Sequence, residues 1–231
     1  MISDRRLYLC TPDRPDLDSF VAAAVRGGVD IVQLRERALS DRELIERART
    51  LREICREHGV PFIVNDRPDV ALEVGADGVH VGQDDVPPSL ARRILGPDAI
   101  VGLSTHAPSE LEAAADEPVD YLSAGPVEPT PTKPGRPGTG IRYASLATAR
   151  ARRPVFVTGG VRPDRVADLV HAGVRHFVVV RYLTEASDPE AAARRLRTAI
   201  DAAIDAAVAG TDDAAITGGG DAPSAGAPAS P

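Results

Sequence analysis

The stretch from Ile31 to Asp66 reads IVQLRERALSDRELIERARTLREICREHGVPFIVND and holds one complete strand–helix–strand unit. Its ends, Ile31-Val32-Gln33 and Phe62-Ile63-Val64, are short apolar runs rich in β-branched residues. Between them, Ser40-Asp41-Arg42-Glu43 has the form of a capping box, in which the Ser40 hydroxyl takes a free amide and Glu43 reaches back. Apolar Leu44, Ile45, Ala48, Leu51 and Ile54 follow at helical spacing. Gly59 stops the helix and Pro61 opens the next strand. Each strand runs directly into polar residues: Arg35-Glu36-Arg37 soon after the first, Asn65-Asp66 after the second.

The same unit recurs along the chain. Apolar runs stand at Leu7–Cys10, Ile31–Gln33, Phe62–Val64, Gly78–Val81, Ile100–Leu103, Tyr121–Ala124, Val155–Val157 and His176–Val180. They are nearly continuous in apolar character, as parallel strands buried on both faces are. Ala172-Gly173 repeats the helix stop, and Asp188-Pro189-Glu190 begins the last helix with proline in its first turn. Eight alternations predict an α/β fold, a single (βα)8 TIM barrel, rather than an open doubly wound sheet. The open-sheet reading would want Gly-x-Gly-x-x-Gly after the first strand, where the chain has Cys10-Thr11-Pro12-Asp13. Beyond Gly210 the chain is Gly, Ala, Ser, Pro, Thr and Asp with a lone Ile216, too little apolar surface to offset the entropy of ordering. The expected organisation is a catalytic barrel over residues 1–208 and a disordered tail over 209–231.

Composition narrows the partners. The 231 residues carry 27 basic and 34 acidic side chains, a formal charge of −7, which argues against general nucleic-acid binding. Any basic groups that bind a phosphorylated ligand must therefore be local. No apolar run approaches the ~18 residues of a membrane span, and no signal peptide opens the chain. Cys10 and Cys55 form neither a Cys-x-x-Cys pair nor a zinc pattern and read as reduced, buried thiols. The expected location is cytoplasmic and the expected partners are small phosphorylated molecules, with a homo-oligomer left open.

In this fold the chemistry sits where strands end and the following loops begin. Six of the eight expected strand ends offer groups suited to anions or magnesium, and the opposite rim offers no such set. Asp66 and Asp85 project from neighbouring strand ends; two hard oxygen donors without clustered Cys or His suit Mg²⁺ rather than zinc. Arg35, Arg37 and Lys133 form a candidate anion clamp. Gly159-Gly160 precedes a helix start, a position where backbone amides bind phosphate. The Pro- and Gly-rich stretch Thr130–Gly140 has the character of a lid. His80 and His106 read as hydrogen-bonded strand-end histidines ahead of acid–base catalysts, and His58, His171 and His176 have no supporting constellation.

Taken together, Gln33-Leu34-Arg35-Glu36-Arg37, Val64-Asn65-Asp66-Arg67, Gly78-Val79-His80-Val81-Gly82-Gln83, Gly125-Pro126 with Pro129-Thr130-Pro131-Thr132-Lys133, and Gly159-Gly160 resemble the thiamine phosphate synthase family, in order and spacing, from about Leu7 to Leu196. The resemblance implies a transferase that joins hydroxymethylpyrimidine diphosphate to hydroxyethylthiazole phosphate. Pyrophosphate leaves first, the aminopyrimidine stabilises the cation, and the thiazole nitrogen attacks. It implies Arg35, Arg37, Lys133 and Ser104 as catalytic residues. It places Gln33 and Ser104 against the pyrimidine, and Arg35, Arg37, Asn65 and Lys133 on its diphosphate. Asp66 and Asp85 hold Mg²⁺, while Thr130, Pro131, Thr132, Gly160, Val180 and Arg181 hold the thiazole phosphate. Three positions depart from the family pattern: Arg37 for a common lysine, Arg181 for a frequent serine, and Thr158 for an apolar residue. A thiazole tautomerase-like enzyme and a non-catalytic ligand-sensing barrel share the fold. Neither needs both carboxylates together with the Arg35, Arg37 and Lys133 clamp. An epimerase would want paired proton-transfer groups, and no such pair stands out.

Overall fold

The computed structural model describes residues 1–130 and 137–217, the last seven by backbone alone. Eight parallel strands close into a barrel in sequence order. They are β1 (Leu7–Thr11), β2 (Ile31–Leu34), β3 (Phe62–Asn65), β4 (Gly78–Val81), β5 (Ile100–Thr105), β6 (Tyr121–Ala124), β7 (Val155–Thr158) and β8 (His176–Val179). The ring closes where Leu7, Tyr8 and Leu9 pair with Phe177, Val178 and Val179. Nine α-helices are described: α1 (Leu17–Arg26), α2 (Asp41–Glu57), α3 (Pro68–Val74), α4 (Pro88–Leu95), α5 (Pro108–Ala113), α6 (Gly140–Arg150), α7 (Pro163–His171), α8 (Arg181–Thr184) and α9 (Pro189–Thr217).

Local sequence explains the helix starts. The Ser40 capping box forms in both directions. Proline occupies the first turn of α3, α4, α5 and α7, where its missing N–H costs no hydrogen bond. One feature differs from expectation: the chain past β8 makes the short helix α8 before α9 begins. Helix α9 is described as far as Thr217, so the boundary expected at residue 208 falls inside it. Gly210 alone costs a helix about 1 kcal/mol, which does not by itself end one. Residues 218–231 of the expected tail lie outside the described residues.

Alternation along each strand divides the core in two. One set of side chains meets the helices, among them Leu9, Val32, Val64, Val79, Val101, Val157 and Phe177. Cys55 of α2 belongs to this layer, and burial pushes its thiol up to about 12. The other set fills the barrel: Tyr8, Cys10, Ile31, Ile63, Tyr121, Phe156 and Val178. Tyr8, Tyr121 and Phe156 meet edge-on with centroids 5.2–5.9 Å apart. The Tyr121 ring lies against Gly102 of β5, where any Cβ would overlap it.

At the end where the strands begin, aspartates recur just before alternate strands. Asp30, Asp77 and Asp120 accept backbone N–H groups of Leu7, Phe62 and Val101. Each carboxylate also meets an arginine: Arg197, Arg52 and Arg92. These three aspartates are therefore committed to holding strand starts. No helix among the described residues is long and apolar enough to cross a membrane.

The packing at Gly102 yields a test. Gly102→Ala forces the Tyr121 ring out of a filled core, an overpacking cost of roughly 1–3 kcal/mol. The melting temperature should fall by about 3–10 °C. An unchanged Tm would show that the barrel interior is looser than described.

Candidate active site

The strand ends carry polar side chains because each inward-facing row continues past the apolar floor. Cys10, Gln33, Asn65, His80, Ser104, Ser123 and Thr158 follow two residues after Tyr8, Ile31, Ile63, Gly78, Gly102, Tyr121 and Phe156. Gln33, Asn65, His80, Ser104 and Ser123 are all buried. Together with the loops they line a cavity of about 570 Å³ at the C-terminal mouth of the barrel.

The cavity gathers Gln33, Arg35, Arg37, Asn65, Asp66, Asp85, Ser104, Thr130, Gly160, Val180 and Arg181. Pro131, Thr132 and Lys133, with most of the expected lid, lie outside the described residues. Arg181 opens α8 and is exposed. Arg35 is half-buried and makes no ion pair among the described residues, which leaves its fork available to an anion.

Arg37 is engaged. Its Nη2 lies 2.6 Å from Asp66 Oδ2 and 3.9 Å from Asp85 Oδ2. Burial pushes the Asp66 carboxyl above its ordinary range, the Asp85 carboxylate pushes the same way, and Arg37 opposes both. Asp66 also has φ of 63°, the one non-glycine residue in the left-handed region among those described. Its N–H donates to the His80 carbonyl at 2.8 Å, which fixes the turn. Asp85 accepts the Gly82 N–H at 2.9 Å. Two carboxylates thus converge on one cation. Among the described residues no three Asp, Glu, His or Cys side chains form a metal cage. Two carboxylates with room for water and phosphate oxygens nevertheless fit Mg²⁺, which rarely uses an all-protein cage.

The opposite side of the mouth has the mirror arrangement. Glu128 Oε2 lies 2.9 Å from Arg162 Nη1, and Glu128 Oε1 lies 3.2 Å from Arg165 Nε. Gly159 and Gly160 hold φ of 94° and 78°. A Cβ on Gly160 would overlap the Glu128 carboxylate. An acidic side chain therefore sits against the glycine pair, paired with two arginines.

His106 donates its Nδ1–H to Glu110 Oε2 at 2.9 Å, at the start of α5, in line with a hydrogen-bonded strand-end histidine. His80 bonds to Ser104 and Tyr121, and both histidines line the cavity. Sequence reasoning passed over Tyr8, Tyr121 and Glu128. The first two were discoverable by counting back along inward-facing positions from Gln33 and Ser104 through the strand register. Nothing in the sequence marks Glu128, whose partners stand at the start of α7.

The charge arrangement at Asp66 makes a stability prediction. A carboxyl whose pKa is raised on folding costs stability as pH rises through that range, and costs nothing below the ordinary carboxylate range. Asp66→Asn removes that charge and suits the left-handed backbone. Metal-free Asp66→Asn should melt at or above the wild-type temperature at neutral pH, while Asp66→Val should lose roughly 1–2 kcal/mol to backbone strain. A clear loss of Tm for Asp66→Asn would mean that the Arg37 pair outweighs the burial cost.

Known proteins resemble this chain over most of its length. Residues 7–183 match the family model described as thiamine monophosphate synthase. The thiamine-phosphate synthase of Thermobifida fusca (strain YX) is 48% identical over 208 residues, covering 87% of this chain and 95% of that protein. That of Streptomyces avermitilis is 47% identical over 207 residues, covering 86% and 96%. Among solved structures, thiamine phosphate pyrophosphorylase from Pyrococcus furiosus superposes with a TM-score of 0.80 at 32% identity, covering 87% of this chain and 98% of that one.

Proposed function

Because the chain belongs to the thiamine monophosphate synthase family, we propose that this transferase joins 4-amino-2-methyl-5-hydroxymethylpyrimidine diphosphate to hydroxyethylthiazole phosphate, releasing thiamine phosphate and pyrophosphate. The observation that carries the reading is the convergence of Asp66 and Asp85 on a single cation beside Arg35 and Asn65, in one cavity with Gly160 and Arg181.

Asp66 and Asp85 would hold Mg²⁺, which supplies charge neutralisation to the departing pyrophosphate. Arg35 and Arg37 bring planar forks to the diphosphate oxygens, joined by the Asn65 side chain and Lys133. To reach the diphosphate, Arg37 would give up its contact with Asp66, which would free Asp66 and Asp85 to hold the metal. Gln33 and Ser104 hold the pyrimidine ring at the cavity floor. The C–O bond to pyrophosphate breaks, the aminopyrimidine spreads the resulting positive charge, and the thiazole nitrogen supplies the electron pair for the new C–N bond.

No side chain needs to act as a nucleophile. The cavity contains Cys10, but its sulfur sits 3.2 Å from Gln33 Oε1, beneath the pyrimidine-binding amide. The protein's work is positioning and charge stabilisation. Thr130, Pro131 and Thr132, the Gly160 amide, and Val180 with Arg181 hold the thiazole phosphate. Where relatives frequently carry serine, Arg181 adds a cation to this second phosphate. The reduced thiols and small phosphorylated substrates suit the cytoplasm.

Pyrophosphate release with both substrates and Mg²⁺ tests the whole reading; release that a chelator does not affect would remove the metal from it. Asp66→Ala should lower kcat/KM by about 100-fold or more, most severely at limiting Mg²⁺. Wild-type rates for Asp66→Ala at limiting Mg²⁺ would show that the metal is held elsewhere. Arg181→Ser should raise the thiazole-phosphate KM by roughly tenfold and flatten its salt dependence. An unchanged KM and salt slope would leave that contact to the backbone alone.

A further inference from the structure

Five hydrogen bonds run in an unbroken line across the barrel beneath the cavity. Cys10 Sγ donates to Gln33 Oε1 at 3.2 Å, and Gln33 Nε2 donates to the Tyr8 hydroxyl at 2.7 Å. The Tyr8 and Tyr121 hydroxyls lie 2.9 Å apart. The Tyr121 hydroxyl is 2.9 Å from His80 Nδ1, and His80 Nε2 is 2.8 Å from Ser104 Oγ. All six side chains are at most 7% exposed. Gln33 lies on β2 and Ser104 on β5, so the line spans the interior between two groups placed against the pyrimidine.

We propose that Tyr8, Tyr121 and His80 are positioning residues that couple the Gln33 amide to the Ser104 hydroxyl, fixing which of them offers a hydrogen to the pyrimidine ring. The inference rests on the reading that Gln33 and Ser104 face that ring. Its logic is a count of hydrogens. Each tyrosine has one O–H, and burial holds both phenols protonated by pushing their pKa values far upward. Tyr8 accepts from Gln33, so its hydrogen goes to Tyr121. Tyr121 then donates to His80 Nδ1, which makes the other ring nitrogen the N–H, and this donates to Ser104 Oγ. The Ser104 hydrogen is left for the cavity, where it suits the lone pair of a ring nitrogen.

The opposite polarity reverses every bond. Ser104 would spend its hydrogen on His80, and the Gln33 amide would turn over so that its oxygen met Tyr8. Ser104 would then face the cavity as an acceptor only. The two ends cannot change separately without leaving a buried donor or acceptor unmet, at about 1–3 kcal/mol. An aminopyrimidine has a ring-nitrogen lone pair beside its N–H group. Replacing the amine by an oxo group reverses that pattern. The coupled line should therefore discriminate between the two rings more sharply than either residue acting alone.

The test uses steady-state kinetics on the full chain with the 4-aminopyrimidine diphosphate and its 4-oxo counterpart as competitor. Tyr121→Phe keeps the ring and breaks the line at its centre; Tyr8→Phe breaks it one step earlier. Both should raise the pyrimidine-diphosphate KM about tenfold and lower the amino-over-oxo preference by a similar factor, with the thiazole-phosphate KM unmoved. Phe156→Leu alters packing against both tyrosine rings without touching a hydrogen bond, and should leave the preference intact. Should Phe156→Leu erode the preference as much as Tyr121→Phe, the effect belongs to packing and the proposal is overturned. The same holds if neither tyrosine variant alters KM or preference while Ser104→Ala does. If Ser104→Ala leaves the pyrimidine KM unchanged, the placement of Ser104 itself fails and the coupling with it.

Discussion

Closure of the parallel ladder, where β1 pairs with β8, is the constraint on which everything else depends. Once eight parallel strands form a ring, all their C-terminal ends share one mouth, and strand alternation decides which residues look inward. The register then sets Gln33 beside Cys10 and Ser104 beside Ser123 with no freedom to slip, because a one-residue shift would exchange the polar cavity lining for the apolar layer under the helices. Residues far apart in sequence become neighbours: Tyr8 and Tyr121, 113 positions apart, share a hydrogen bond.

The two rims handle charge in different ways. At the strand starts, Asp30, Asp77 and Asp120 are bound to backbone amides, and their roles are structural. At the mouth, two charged groups stand in exposed or partly exposed ion pairs. Arg37 stands between Asp66 and Asp85, and Glu128 stands between Arg162 and Arg165. Ion pairs as open as that of Arg37, whose side chain is 62% exposed, contribute little to stability, so exchanging them for substrate costs little.

Much of this was legible in the sequence, for identifiable reasons. Short apolar runs and helix punctuation gave all eight strands to within two residues at their C-terminal ends, because strands buried on both faces leave a continuous apolar signature. The rim groups followed, since each stands within a few residues of a strand end. What escaped depends on tertiary register. Tyr8 and Tyr121 look like ordinary core aromatics until the ring closes and brings their hydroxyls together. Glu128 is one more loop carboxylate until the N-cap and first turn of α7 supply Arg162 and Arg165. The short α8 gives no periodic signal in four residues. The last helix is described as far as Thr217, past the fall in apolar content near Gly210.

The central claim is that one barrel mouth holds two phosphorylated substrates side by side, a magnesium–diphosphate half on β2 to β5 and a monophosphate half on β6 to β8. A crystal structure with the pyrimidine diphosphate, a non-nucleophilic thiazole phosphate analogue and Mg²⁺ measures this most directly. The account predicts the metal between Asp66 and Asp85, Arg37 turned from Asp66 onto the diphosphate, and the second phosphate at Gly160 and Arg181. A metal bound away from both carboxylates, or both phosphate groups gathered on the same side of the mouth, would contradict it.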